Sequence, residues 1–218
     1  MIDADRPTTT PAWIWGGGLL LASAVLPLIT GSPGFVTAGG LSGAVFAWIG
    51  MLAFAASMVV FAFGARGRGS IVARRPDGMV AMIALATVSP VVWVLTAVFP
   101  YSADNPDAYV LWGYADVAVR FAAALVAVVA VGRARVVPPP WNWAPAWGLA
   151  AVVGIGVLAQ VSAVAIAGGP ADQETLVTVF AFSSLVATVV PSLLGILAIV
   201  LGSRADPRAA VPVYPPRD

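Results

Sequence analysis

The chain has 218 residues, 60% of them hydrophobic and 10% charged, with a formal net charge of +1. A soluble domain carries roughly 25% charged residues, so this composition calls for lipid as solvent, and a near-neutral balance argues against a nucleic-acid partner, whose phosphates need clustered cations well in excess of acids. Lysine, cysteine and histidine are absent, which removes Schiff-base chemistry, thiolate nucleophiles, the common zinc, copper and haem ligands and the Ser-His dyad; no catalytic residue, metal or cofactor is expected.

Residues 1-11, rich in Thr and Pro, read as a disordered arm. Six apolar stretches follow at 12-30, 41-64, 79-99, 110-131, 146-167 and 176-201, each near the ~20 residues that a helix needs to cross hydrocarbon. The expected fold is therefore all-α, a polytopic bundle of six transmembrane helices occupying residues 12-202. Ala22-Ser23-Ala24 in the first span imitates a signal-peptidase site, but the basic n-region is missing, so this helix is expected to be retained. The second span offers Gly39, Gly43, Ala47 and Ala55 as a close-packing stripe. The loop behind it holds Arg66, Arg68, Arg74 and Arg75. Span three carries Thr87, Ser89 and Thr96, and an acidic turn with Asp104 and Asp107 leads to span four, which has Ala118, Ala122 and Ala130 on one face.

Pro138-Pro139-Pro140 then reads as a stiff polyproline linker. Span five presents two small-residue stripes, Ala150, Gly154 and Ser162 on one and Gly148 and Gly156 on the other, expected to serve internal packing. Pro27, Pro90 and Pro191 fall inside spans one, three and six, where each removes a backbone hydrogen bond and predicts a kink. Residues 203-218, with Pro207, Pro212, Pro215 and Pro216, read as a Pro-rich disordered tail. Trp13, Trp15, Trp141, Trp143 and Trp147 near one set of span ends, with Tyr101, Tyr109 and Trp112 near the other, are expected to be interfacial anchors.

Ten of the eleven arginines lie on the face shared by the two termini, and the opposite loops hold only Asp104, Asp107, Asp172 and Glu174. Because basic residues near span ends resist translocation, both termini are expected in the cytoplasm. The lack of lysine beside abundant Ala, Val, Gly and Pro reads as the coding bias of a GC-rich bacterium, which points to a multi-pass protein of the bacterial inner membrane.

The eleventh arginine, Arg120, lies inside span four, four residues after Asp116. That spacing puts both on one helix face, with Arg120 leaning back toward the acid. An unpaired charge at such depth costs about 2.5 kcal/mol or more, so an ion pair turned toward the bundle interior is expected. Gln160 on span five and a four-residue stripe of Ser184, Thr188 and Ser192 on span six complete the candidate substrate-binding set: Asp116, Arg120, Gln160, Ser184, Thr188 and Ser192. Hydroxyls at that spacing also bond their own helix, so the stripe reads as packing before it reads as a path.

No stretch carries a family motif. With few buried polar groups and many small-residue faces, the leading functional expectation is a non-enzymatic subunit or interaction partner in a membrane assembly, with the lipid bilayer and a membrane protein or a second copy as partners. The alternative is a small-solute, anion-type transporter or transporter subunit centred on the Asp116–Arg120 pair, with a water-accessible cavity between spans four, five and six.

Overall fold

The computed structural model describes residues 11–30, 43–65, 69–98, 106–167 and 173–204. Residues 1-10 of the arm, the tail from 205 onward, Gly39, Arg66, Arg68, Tyr101, Asp104 and Asp172 lie outside these residues, as does the side chain of Tyr109, whereas Pro11 and Ser203, expected in the arm and tail, belong to the first and last helices. Six helices account for nearly all of the described chain: α1 Pro11–Thr30, α2 Gly43–Phe63, α3 Pro76–Val98, α4 Pro106–Ala134, α5 Ala144–Ala167 and α6 Gln173–Ser203. All six are long and apolar enough to cross a membrane. Each begins or ends within four residues of its expected limits, and α3 starts earlier because Pro76, which needs no amide partner, fits the first helical position. The helices continue through Pro27, Pro90 and Pro191.

Each helix packs against its sequence neighbour, and α6 returns to α1, so the six form a ring with α4 and α5 as its weakest seam. Sequence-adjacent helices run antiparallel, which gathers both terminal helix ends and the two arginine-bearing connections at one end of the ring. Contacts there confirm the grouping: Trp13 Nε1 donates to the Gly69 carbonyl at 2.8 Å, and Gly202 lies against the Trp13 side chain. Trp13 is only 6% exposed. It is a core residue and not the interfacial anchor expected, because two residues along a helix turn about 200° and its neighbour Trp15 takes the outward position. Trp15, Trp112, Trp141, Trp143 and Trp147 are all exposed, as anchors require.

Lipid gives no hydrophobic drive for helix association, so close approach decides which pairs hold. The tightest crossing joins α1 and α6, where a methyl group on Gly17 would lie 2.5 Å from the Gly195 carbonyl oxygen and one on Gly195 would lie 2.7 Å from that of Gly17. Ser57 strengthens the adjoining α1–α2 contact by donating to the Gly16 carbonyl at 2.8 Å. The stripes expected on α5 behave otherwise. Gly154 and Gly156 face open space, Ala150 is exposed, and only Gly148 packs, against Val190 and Leu194 of α6. On α4 the buried stripe is Ala123, Ala127 and Ala130, whereas Ala118 and Ala122 are exposed.

The α2–α3 connection is more than a basic loop. A helix end leaves its last carbonyls without intrahelical partners, and here the loop supplies them: Gly64 N donates to Val60 O, Ile71 N to Phe61 O and Ser70 Oγ to Ala62 O, at 2.8, 3.1 and 2.6 Å. Gly64 adopts φ 76°, the left-handed cap that glycine tolerates best. Val72, 0% exposed, is thereby driven under the ring against Gly78, and the chain reverses through a turn closed by Arg75 N on Val72 O. Both central residues of that turn are left-handed, Ala73 at φ 50° and Arg74 at φ 56°. Because a Cβ costs about 1 kcal/mol in this region, Ala73→Gly is expected to raise stability by about that amount and Ala73→Val to lower it, as read by thermal unfolding in micelles. The Pro138-Pro139-Pro140 segment also departs from expectation: Trp141 N reaches Pro138 O at 3.0 Å, so the segment is a turn and not an extended rod. It drops Trp143 onto Gly132, where any side chain would meet the indole.

Candidate functional site

Asp116 and Arg120 form the expected pair, with Arg120 Nε donating to Asp116 Oδ1 at 2.7 Å. The guanidinium is also used across the bundle: its second nitrogen, Nη1, donates to Ser89 Oγ on α3 at 2.8 Å. Asp116 is the more enclosed partner, at 20% side-chain exposure against 42% for Arg120. Antiparallel geometry explains the meeting. Ser89 lies 13 residues after Pro76 and Arg120 lies 14 before Ala134, so both stand about 20 Å from the arginine-bearing end at a rise of about 1.5 Å per residue. Ser89 was visible in the sequence as a polar group on span three, and this matched depth is the signal that would have attached it to Arg120.

The remaining candidates do not join this cluster. Thr188 Oγ1 donates to Ser184 O at 3.0 Å and Ser192 Oγ to Thr188 O at 2.8 Å, so two hydroxyls of the α6 stripe bond their own helix, and Ser184 is exposed. Gln160 is exposed on α5. Thr87 and Thr96 likewise bond carbonyls of α3. Among the described residues, the hydroxyls that bridge helices are those of Ser57 and Ser89.

Two cavities flank the pair. One, of about 720 Å³, lies between α3 and α4 toward the acidic end and touches Asp116, Thr96 and Trp112, its other walls being mostly aliphatic. The second, of about 390 Å³, lies inside the ring toward the arginine-bearing end. All six helices contribute to its wall, yet Asp116, Arg120, Gln160, Ser184, Thr188 and Ser192 are absent from it. On α3 the inner cavity reaches up to Leu85 and on α4 to Ala124, so the Arg120–Ser89 contact stands at the level that divides the two spaces. The large cavity therefore lies against α3 and not, as anticipated for a transport site, among spans four, five and six. It presents a carboxylate, while the guanidinium is turned into two hydrogen bonds.

Among the described residues no group of three or more acidic, His or Cys side chains is placed to hold a metal ion. Chemically the cluster is a charge-assisted interhelical clamp with one acceptor group facing a cavity. Comparison with protein-family models, with curated proteins and with solved structures finds no match.

Proposed function

We propose that this is a non-enzymatic subunit of a membrane assembly in the bacterial inner membrane, with its arginine-bearing end and both termini in the cytoplasm, and that α5 is the helix by which it docks. The orientation rests on the clustering of basic residues beside one set of span ends. The docking role rests on α5. Its packing is almost confined to α6, and it leaves Gly154 and Gly156 facing open space beside exposed Leu158 and Val161. Small residues in a spanning helix allow a second backbone to approach within van der Waals contact, the main source of association energy in lipid. Within this chain that opportunity is unused at Gly154 and Gly156.

Gentle extraction followed by native electrophoresis is expected to return the chain in a species larger than a monomer, and Gly154→Leu is expected to release it as a monomer with unchanged thermal stability. A wild-type chain that runs alone, or a Gly154→Leu complex of undiminished size, removes the proposal.

A second reading, small-solute transport, is favoured by the 720 Å³ cavity against Asp116. Its chemistry suits a cation or a hydrogen-bond donor better than an anion, since the carboxylate and not the guanidinium faces the space. Loss of uptake in Asp116→Asn vesicles with folding intact supports this reading; uptake equal to empty vesicles in the wild type eliminates it.

A further inference from the structure

The 390 Å³ cavity is not explained by either reading. Its volume falls within the 300–1,000 Å³ range typical of ligand pockets. Its wall is almost wholly apolar: the indole nitrogen of Trp13 is already bonded to Gly69, and among the described residues no buried side-chain polar atom lacks a partner. Water entering would find few partners, chiefly the Ala187 carbonyl that Pro191 leaves without a helical donor, and a dry void forfeits the dispersion contacts of its lining. The α6 wall runs from Ala187 to Leu201, fourteen residues or about 21 Å, an extent that a long hydrocarbon chain can fill.

Access follows from the packing. The 69–75 loop closes the arginine-bearing end with Ile71 in the cavity wall, and α5, α6, α1, α2, α3 and α4 pack in that order. The seam between α4 and α5 is the weak wall, flanked by Ala124 and Val128 on one side and Leu149 and Val152 on the other. In a bundle of six spans such a seam lies at hydrocarbon depth. At the arginine-bearing end of this seam, Val131, Val137 and Trp141 line the cavity, and the exposed Arg133 and Arg135 stand between them in sequence without an ion pair among the described residues. Exposed guanidinium groups at the end of a span match phosphate in charge and in paired hydrogen-bond geometry.

We infer that the cavity binds one acyl chain of an anionic phospholipid, which enters between α4 and α5 and leaves its phosphate on Arg133 and Arg135. The site is independent of the proposed docking role of α5, because that role uses the outward face bearing Gly154.

The chain contains no cysteine, so a single Val128→Cys variant can carry a small fluorophore inside the slot, and Val126→Cys, on the exposed side of the same helix, can serve as reference. Full-length protein is reconstituted in phosphatidylcholine vesicles containing a trace of chain-spin-labelled phosphatidylglycerol or spin-labelled phosphatidylcholine. At Val128 the anionic lipid is expected to quench about thirtyfold more effectively, the preference that two interfacial arginines together give an anionic headgroup. Val126 should not discriminate to that degree, and Arg133→Gln with Arg135→Gln should abolish the preference at Val128 while quenching at Val126 persists. Should Val128→Cys fail to fold, Ala124→Cys reports from the same wall. A label at the wall quenched by neither lipid, or by both equally, overturns the inference.

Discussion

Replacing Gly17 by alanine is expected to lower the stability of the protein by about 1–3 kcal/mol, the usual cost of inserting atoms into a filled interface. The added methyl group would lie 2.5 Å from the Gly195 carbonyl oxygen and 3.0 Å from both Ala198 Cβ and Ile199 Cγ1. Backbone cannot swing aside as a long side chain can, so the two helices must separate. That separation propagates, because α1 and α6 close the ring and Gly202 packs on Trp13 one end of the crossing away. Gly195→Ala meets the Gly17 carbonyl oxygen at 2.7 Å and should behave alike. The double variant should lose less than the two single losses combined, since the first methyl group already opens the space the second needs. Gly18, whose added Cβ would touch nothing within 4 Å, is the internal control: Gly18→Ala should leave stability unchanged or raise it slightly through helix propensity. Thermal unfolding of the four variants in one detergent checks all of this, and equal losses at Gly17 and Gly18 would refute the crossing.

That triplet shows what the sequence could and could not reveal. Length and apolarity place all six helices, because a span must satisfy its backbone internally and needs a set length to do so. Four-residue spacing likewise places Asp116 and Arg120 together. Spacing says which residues share a face, but it does not say which face meets a neighbour. Thus Gly17, whose neighbours four residues away are the large Trp13 and Leu21, makes the tightest contact, while the regular Ala150-Gly154 stripe is left open. In lipid both faces of a helix are apolar, so the polarity contrast that orients a helix in water is missing. The loop after α2 was legible in part. Ile71 and Val72 are apolar residues set among arginines, a pattern that a solvated loop does not need, and they are the residues that tuck under the ring.

The second large effect is expected at the clamp, and its sign pattern distinguishes an ion pair that matters from two charges that merely coexist. Arg120→Leu removes the partner of a carboxylate that is 20% exposed inside a spanning helix, and also removes the donor to Ser89. An uncompensated charge within hydrocarbon costs about 2.5–3.5 kcal/mol; the access that the adjoining 720 Å³ cavity allows Asp116 brings the expected loss to about 2 kcal/mol. Asp116→Asn should cost less, because Arg120 keeps Ser89 and its long, flexible stem allows the charge to reach toward polar surroundings. The double variant Asp116→Asn, Arg120→Leu carries no charge in the span. It should therefore be more stable than Arg120→Leu alone, by about 1 kcal/mol or more, which no sum of independent losses produces. Ser89→Ala tests the bridge separately: a loss of about 1.5 kcal/mol in the wild type and none in the Arg120→Leu background are expected, as a hydrogen bond to a charged donor contributes about 1.5–3 kcal/mol and nothing once the donor is gone. A double variant no more stable than Arg120→Leu would mean that the pair is not coupled. In that event the contact across α3 and α4 must be held by Ala86, Ala123 and their neighbours, through close packing alone.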